Sequence, residues 1–300
     1  MLVGSPREAL AWNRAGHMVS GAIAYHTLVA RDPAAAGRAI ALLRAHPAYQ
    51  TRWLPAITAH GMADHDIMLF MLAARWPDDV RDEPQYDHPT WHYINLAVIP
   101  PGDTTHAGAI SGELITEMTH NLAVLRDPEA TDADKGIALA WILHLAGDIH
   151  QPLHATNFFS VRWPQGDLGG NRMFIRATDA SQAINLHAFW DGLIIGSDDV
   201  RSTMNRAVAL RAAHPVAPLA AQIAKLSPMT WASDESLPLA RRWAYLDGTL
   251  AAGTVRDSAR VLPVSYASDA QRLAEERVTL AGYRLGALLA QAVKPAGARR

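Results

Sequence analysis

The chain has 300 residues, 49% hydrophobic and 19% charged, with a formal net charge of -2 and no cysteine. Its length suits one large or two small domains with ample core, and no apolar run approaches the ~18 residues of a membrane span. Without a long basic block the charge gives no sign of a nucleic-acid partner, and without thiols any metal must be held by the 14 histidines and by carboxylates.

Residues 1–11 show no helical period and end in Ala9-Leu10-Ala11, the small-x-small pattern of a secretory cleavage site, but lack the preceding apolar h-region. Two readings stand, a disordered N-terminus or the remnant of a leader. From Trp12 to Val29 apolar residues recur with a helical period around His17, and Asp32-Pro33 breaks it. Further helices are expected over Ala34–Ala45, Thr58–Ala74 and Ser111–Leu125, the middle one running into Trp76-Pro77-Asp78-Asp79-Val80-Arg81. Pro89 to Leu96 is a short apolar run carrying Trp91, His92 and Tyr93. A central helix opens at Asp132 and should end near Gln151, before Pro152. Ala155 to Gly170 reads as a loop bearing Phe158, Phe159 and Trp163. Arg172–Ala177 is the only convincing strand candidate, half of a small β-hairpin. Helices then follow over Asn185–Ile195, Ala207–Ala213, Pro218–Lys225, Leu239–Ala252 and Asp269–Val293. No repeat or composition break divides the chain. It reads as mainly α, a single domain over 12–293 with a short tail at 294–300.

His144 and Asp148 lie four apart inside an apolar run, so they share one helix face. A buried carboxylate costs several kcal/mol or more unless a cation or donor compensates it. His154 lies just past the helix end, free to turn back. His187 and Asp191 repeat the spacing. One such pair reads equally well as a hydrogen-bonded core pair; two pairs with His154 favour a divalent-metal cluster, since one helical turn brings both donors to a single ion.

The stretches Trp12-Asn-Arg-Ala-Gly-His17, Trp76-Pro-Asp78, Trp91-His92, His144-Leu-Ala-Gly-Asp148, Gln151-Pro-Leu-His154, Gly169-Gly-Asn171 and Asn185-Leu-His187-Ala-Phe-Trp-Asp191 stand in order along the chain, with Trp231-Ala-Ser-Asp234 and Gly282-Tyr-Arg-Leu285 beyond them. Together they resemble the zinc-dependent single-strand-specific nucleases, which share a fold with the zinc phospholipases C. The resemblance implies a helical phospholipase C/nuclease fold and three Zn²⁺ ions. One ion would be held by Asp78, His92 and His144, with Asp148 shared, and a second by His154, His187 and Asp191. The third would take His17, the other oxygen of Asp148, and the α-amine and carbonyl of Trp12. Arg81 and Asn171 match positions that contact the scissile phosphate, and a metal-activated water would be the nucleophile.

The implied activity is endonucleolytic hydrolysis of single-stranded DNA and RNA, with 3′-nucleotidase activity, by a monomer. Tyr93, Phe158, Phe159 and Trp163 are candidate stacking surfaces for unpaired bases, with loop anchoring as the structural alternative for Phe158 and Phe159. The Trp12 amine exists only if the bond after Ala11 is cut, which favours the leader reading and a secreted or periplasmic location. Two other functions compete. A phospholipase C-like enzyme fits His154-Ala-Thr-Asn-Phe-Phe and Pro164-Gln-Gly166, but has against it the five-residue step from Trp12 to His17 and the aspartate at 191. A non-catalytic zinc module would leave Asn171 and Arg81 without a task.

Overall fold

The computed structural model describes residues 12–61 and 63–293. The readings of 1–11 as a leader remnant and of 294–300 as a tail fall outside the described residues. Helix dominates, as the periodicity predicted. The side chain of Asn13 accepts the Gly16 N–H and opens α1 (Arg14–Arg31). Asp32 ends α1 and opens α2 (Pro33–Ala45) by accepting from Ala35, with Pro33 in the first turn, where its missing N–H costs nothing.

The helix expected over Thr58–Ala74 is instead two, α3 (Leu54–His60) and α4 (His65–Asp79). Gly61 takes a left-handed φ of 61° as the C-cap of α3, and Asp64 caps α4 by accepting the Ile67 N–H. The continuous apolar period hid this stop and start. α4 continues through Pro77 and carries Asp78 in its last turn.

α5 (Leu114–Arg126) leads into α6 (Asp132–Asp148), capped by Thr131 and buried from Ala138 to Asp148. An apolar helix with no polar stripe belongs inside. Around α6 pack α1, α2, α4, α5 and the C-terminal helix Tyr266–Ala292. The outer helices are α7 (Leu186–Asp191), α8 (Val200–Ala213) and α9 (Val216–Ile223). The helix expected over Leu239–Ala252 does not form. Ala240–Ala244 is a π-type turn, and Leu246 and Asp247 then take left-handed φ of 49° and 54°.

Two small sheets complete the fold. β1 (Leu96–Val98) runs parallel to β2 (Thr156–Phe158), with Leu96 opposite Thr156. β3 (Phe174–Arg176) pairs antiparallel with β4 (Ile184–Asn185), the hairpin expected, and parallel with β5 (Arg260–Val261). The loop expected over Ala155–Gly170 thus begins with a strand, and Arg172–Ala177 is not the only strand segment. Three residues are too few to show alternation; β2 exists because β1 lies beside it.

Candidate metal centre

Six separate segments bring eight histidine and aspartate side chains to one buried place. His17 comes from α1, Asp78 from the end of α4, His144 and Asp148 from α6, and His187 and Asp191 from α7. His92 and His154 sit in short 3₁₀ turns, Pro89–His92 and Pro152–Ala155, each just before a strand of the β1–β2 pair. That pairing joins them. The Ile94 N–H donates to the His154 carbonyl at 2.8 Å, and His154 Nδ1 donates to the His92 carbonyl at 2.7 Å.

Their donor atoms form three groups: His17, His144 and Asp148; Asp78, His92 and His144; and His154, His187 and Asp191. Within each, all donor atoms lie within 4.8 Å of one another. His144 is common to the first two, and Asp148 reaches across both. Its Oδ1 is 3.3 Å from His17 Nε2, and its Oδ2 is 3.1 Å from His92 Nδ1 and 3.2 Å from His144 Nε2. Two ligand atoms on a tetrahedral ion at ~2.0–2.2 Å stand roughly 3.3–3.6 Å apart, so these separations suit a shared cation.

The tautomers point the same way. His144, His154 and His187 each donate through Nδ1 to a backbone carbonyl, of Ala74, His92 and Gly169 respectively. Neutral imidazoles so fixed carry their lone pairs on Nε2. Yet the Nε2 atoms of His154 and His187 face each other at 3.0 Å. Two lone pairs at that distance require a proton or a metal between or beside them. In addition, both ring nitrogens of His17, Oδ2 of Asp78, Oδ1 of Asp148 and Oδ2 of Asp191 are buried with no hydrogen-bond partner among the described residues. Buried polar atoms are rarely left unpaired. The donor set is nitrogen and carboxylate oxygen, and it fits divalent ions.

Charge agrees. Burial would strip the proton from His154, but the carboxylates of Asp148 and Asp191 outweigh it and hold its pKa up at about 9. Burial dominates at His17, His92 and His187, whose pKa values fall. It would push Asp148 up, but the imidazoles, His144 foremost, hold it well below the usual carboxylate range. Three buried carboxylates call for positive charge.

Of the other residues singled out in the sequence, Trp12 is fully buried and held on two sides. Its indole donates to the Gly147 carbonyl at 2.9 Å, and the next residue's N–H donates to the Asp191 carbonyl at 3.0 Å. Arg81 donates through Nε and Nη2 to Asp78 Oδ1. Asn171 donates to the Leu168 carbonyl and accepts from Asn185, the residue that caps α7. Tyr93 is half-buried. Phe158 and Phe159 are 3% and 4% exposed, and Phe158 stacks on Tyr245, so both sit as loop anchors. Trp163 lines a cavity of about 490 Å³ beyond the far ends of β1 and β2, with Arg162 over its ring at 5.0 Å.

Two features escaped the sequence reading. Gln151 stands inside a stretch that carries the resemblance, yet its amide bond to Asp191 Oδ1 depends on a contact across 40 residues. Leu168 is 44% exposed with a φ of 55°, a left-handed leucine directly before Gly169-Gly170. Strain of that kind concentrates near functional sites.

A family model described as S1/P1 Nuclease matches residues 12–294. The chain is 25% identical over 238 residues to Nuclease S1 of Aspergillus oryzae, covering 72% of this chain and 76% of that one. It is 31% identical over 140 residues to Endonuclease 3 of Arabidopsis thaliana, 41% of each chain. The same plant's Endonuclease 5 is 31% identical over 169 residues, 51% of this chain and 49% of that one.

Proposed function

The chain belongs to the S1/P1 nuclease family and so is a hydrolase of phosphodiester bonds; from that premise we propose that it is a three-zinc endonuclease of single-stranded DNA and RNA, with 3′-nucleotidase activity. The observation that carries the reading is the convergence of eight buried histidine and aspartate side chains, several with unpartnered donor atoms, into three metal-sized groups. Asp78, His92 and His144 with Asp148 would hold one ion, His154, His187 and Asp191 a second, and His17, Asp148 and Trp12 a third. Zinc bound there supplies a Lewis acid for phosphoryl oxygens and an acidified water at neutral pH.

The chain's own groups do the rest. The bonds of Arg81 to Asp78 leave its Nη1 free to donate to a non-bridging phosphate oxygen. Asn171 keeps one amide hydrogen for the same phosphate while its other bonds hold the 168–171 turn to the cap of α7. Tyr93, beside His92, offers a face for an unpaired base, and exposed Arg162, seated over the buried ring of Trp163 at the cavity wall, a second contact farther along the strand, with Phe158 and Phe159 supporting that loop. All the ligands come from one chain, which suits a monomer with a catalytic domain over 12–293. Cleavage after Ala11 would free the Trp12 amine for the third group and mark an exported enzyme. N-terminal sequencing of protein from the native host that reads Met1 would contradict that step.

The test incubates the protein with single-stranded DNA, RNA, duplex DNA, a 3′-mononucleotide and phosphatidylcholine in parallel, with and without chelator, alongside metal analysis. Chelator-sensitive cleavage of the single strands is expected first, with zinc near three per chain. Rapid lipid turnover beside intact DNA would overturn the assignment.

A further inference from the structure

Gln151 is fully buried between the end of α6 and Pro152, and both ends of its side chain are engaged. Oε1 accepts the Leu153 N–H at 2.6 Å, and Nε2 donates to Asp191 Oδ1 at 2.7 Å. The first bond settles the second. A backbone N–H can only donate, so the amide oxygen must face Leu153, and the amide nitrogen is left facing the carboxylate. Asp191 therefore has one oxygen occupied by a neutral donor. Its other oxygen, Oδ2, has no hydrogen-bond partner among the described residues and lies 3.6 Å from His187 Nε2. The backbone at Asp191 is fixed as well, through the bond from Asn13 at 3.0 Å.

We propose that Gln151 is a positioning residue for the His154–His187–Asp191 group, engaging Asp191 Oδ1, itself 3.6 Å from His154 Nε2, so that Oδ2 is the oxygen left open to a divalent cation. The inference rests on the reading that this group holds such an ion. A neutral donor suits the task. A lysine or arginine at this place would compete with the metal for the carboxylate, and an acid would repel it. Orientation by a hydrogen-bonded partner is worth about 10–100-fold in metal affinity, and the effect belongs to one group of the three.

The experiment compares zinc-loaded wild type with Gln151→Glu, which keeps the acceptor for Leu153 but removes the donor, and with Gln151→Met, which removes both. Each is titrated with a chromophoric chelator, and each is melted both loaded and stripped. In Gln151→Glu one class of ion is expected to leave about 10–100-fold more readily, the rest as in wild type. Its stripped melting temperature should fall, because a second buried carboxylate faces Asp191, and its loaded one should fall further through the weakened ion binding. Release curves identical to wild type overturn the proposal and leave the metal reading standing. A stripped variant that melts as much below wild type as the loaded one does makes Gln151 structural only, which also overturns it. A wild type that binds no divalent ion fails the metal reading itself, and its metal content reports this separately. Should Gln151→Glu not fold, Gln151→Met is read by the same release criterion.

Discussion

Asp148 turns Oδ1 to His17 and Oδ2 to both His92 and His144, so one carboxylate serves two of the three groups at once. Replacing it with asparagine keeps the shape and removes the charge. Residues that only orient a metal ligand typically cost 10–100-fold, so Asp148→Asn, at a proposed ligand itself, should cost more than about a hundredfold in kcat/KM, with metal content falling in parallel. Full activity in that variant would show that the cluster is not the reaction centre. Asp167 poses the opposite problem. Burial, only partly offset by the Phe158 N–H, raises its pKa from 3.8 to about 7. The unfolded chain releases this proton near pH 4 and the folded chain only near 7, so Asp167 lowers stability progressively as pH rises across that window. Asp167→Asn retains an acceptor for Phe158 and loses the penalty. Urea titrations of stripped protein should match wild type near pH 4 and exceed it by a few kcal/mol at pH 8; parallel curves would refute the assignment. At Arg162, exposed and remote from the metal groups, the test is strand length. Arg162→Glu should lower cleavage of a twelve-nucleotide single strand by about tenfold, the effect of about one stacked base, and leave a dinucleotide unchanged. Equal loss on both substrates would deny Arg162 this contact with the strand.

At the scale of elements, what the sequence disclosed depended on length and period. α6 and its His144/Asp148 face were legible because seventeen residues of helix leave a strong apolar record. β1 and β2 were not, because three residues carry no period and their pairing spans about sixty positions. Their consequence was equally hidden, namely that a parallel pair brings His92 and His154 together. The break between α3 and α4 was written in Gly61 and Asp64, two residues overshadowed by the apolar run on either side. The close contact of α1 with the C-terminal helix was not read from Gly282-Tyr-Arg-Leu285, which served only the resemblance. A Cβ on Gly282 would sit 2.5 Å from the Cβ of Ile23 in α1, and one on Gly286 would sit 2.5 Å from that of Thr27. No rotamer of either neighbour relieves a clash at its own Cβ, so the two helices must part. Gly282→Ala should therefore destabilise by about 1–3 kcal/mol, despite the better helix propensity of alanine. A gain in melting temperature would mean that the backbones are farther apart than they stand here.

For the whole molecule, spacing alone could bring together only His144 with Asp148, His187 with Asp191 and the nearby His154; the grouping of all eight was implied by the resemblance, since six segments from His17 to Asp191 meet only once the fold is complete. On the proposed reading, metal would be part of the fold. α7 has six residues, too few to hold helical form alone, and it owes its place to the Asn185 cap, to Gln151 and to what binds His187 and Asp191. The C-terminal helix has twenty-seven residues and contributes none of the eight side chains. Ions present at a thousandfold over their dissociation constant add about 4 kcal/mol of stability. At about 2–4 °C per kcal/mol, excess chelator should lower the melting temperature by about 10 °C, reversibly on adding zinc. The loss should also be uneven. Amide exchange ought to accelerate first in α7 and in 152–171, while the core of the C-terminal helix keeps its protection until the chain unfolds as a whole. An unchanged melting temperature, or uniform acceleration along the chain, would mean that the six segments are held together by packing alone and that the groups bind no ion tightly.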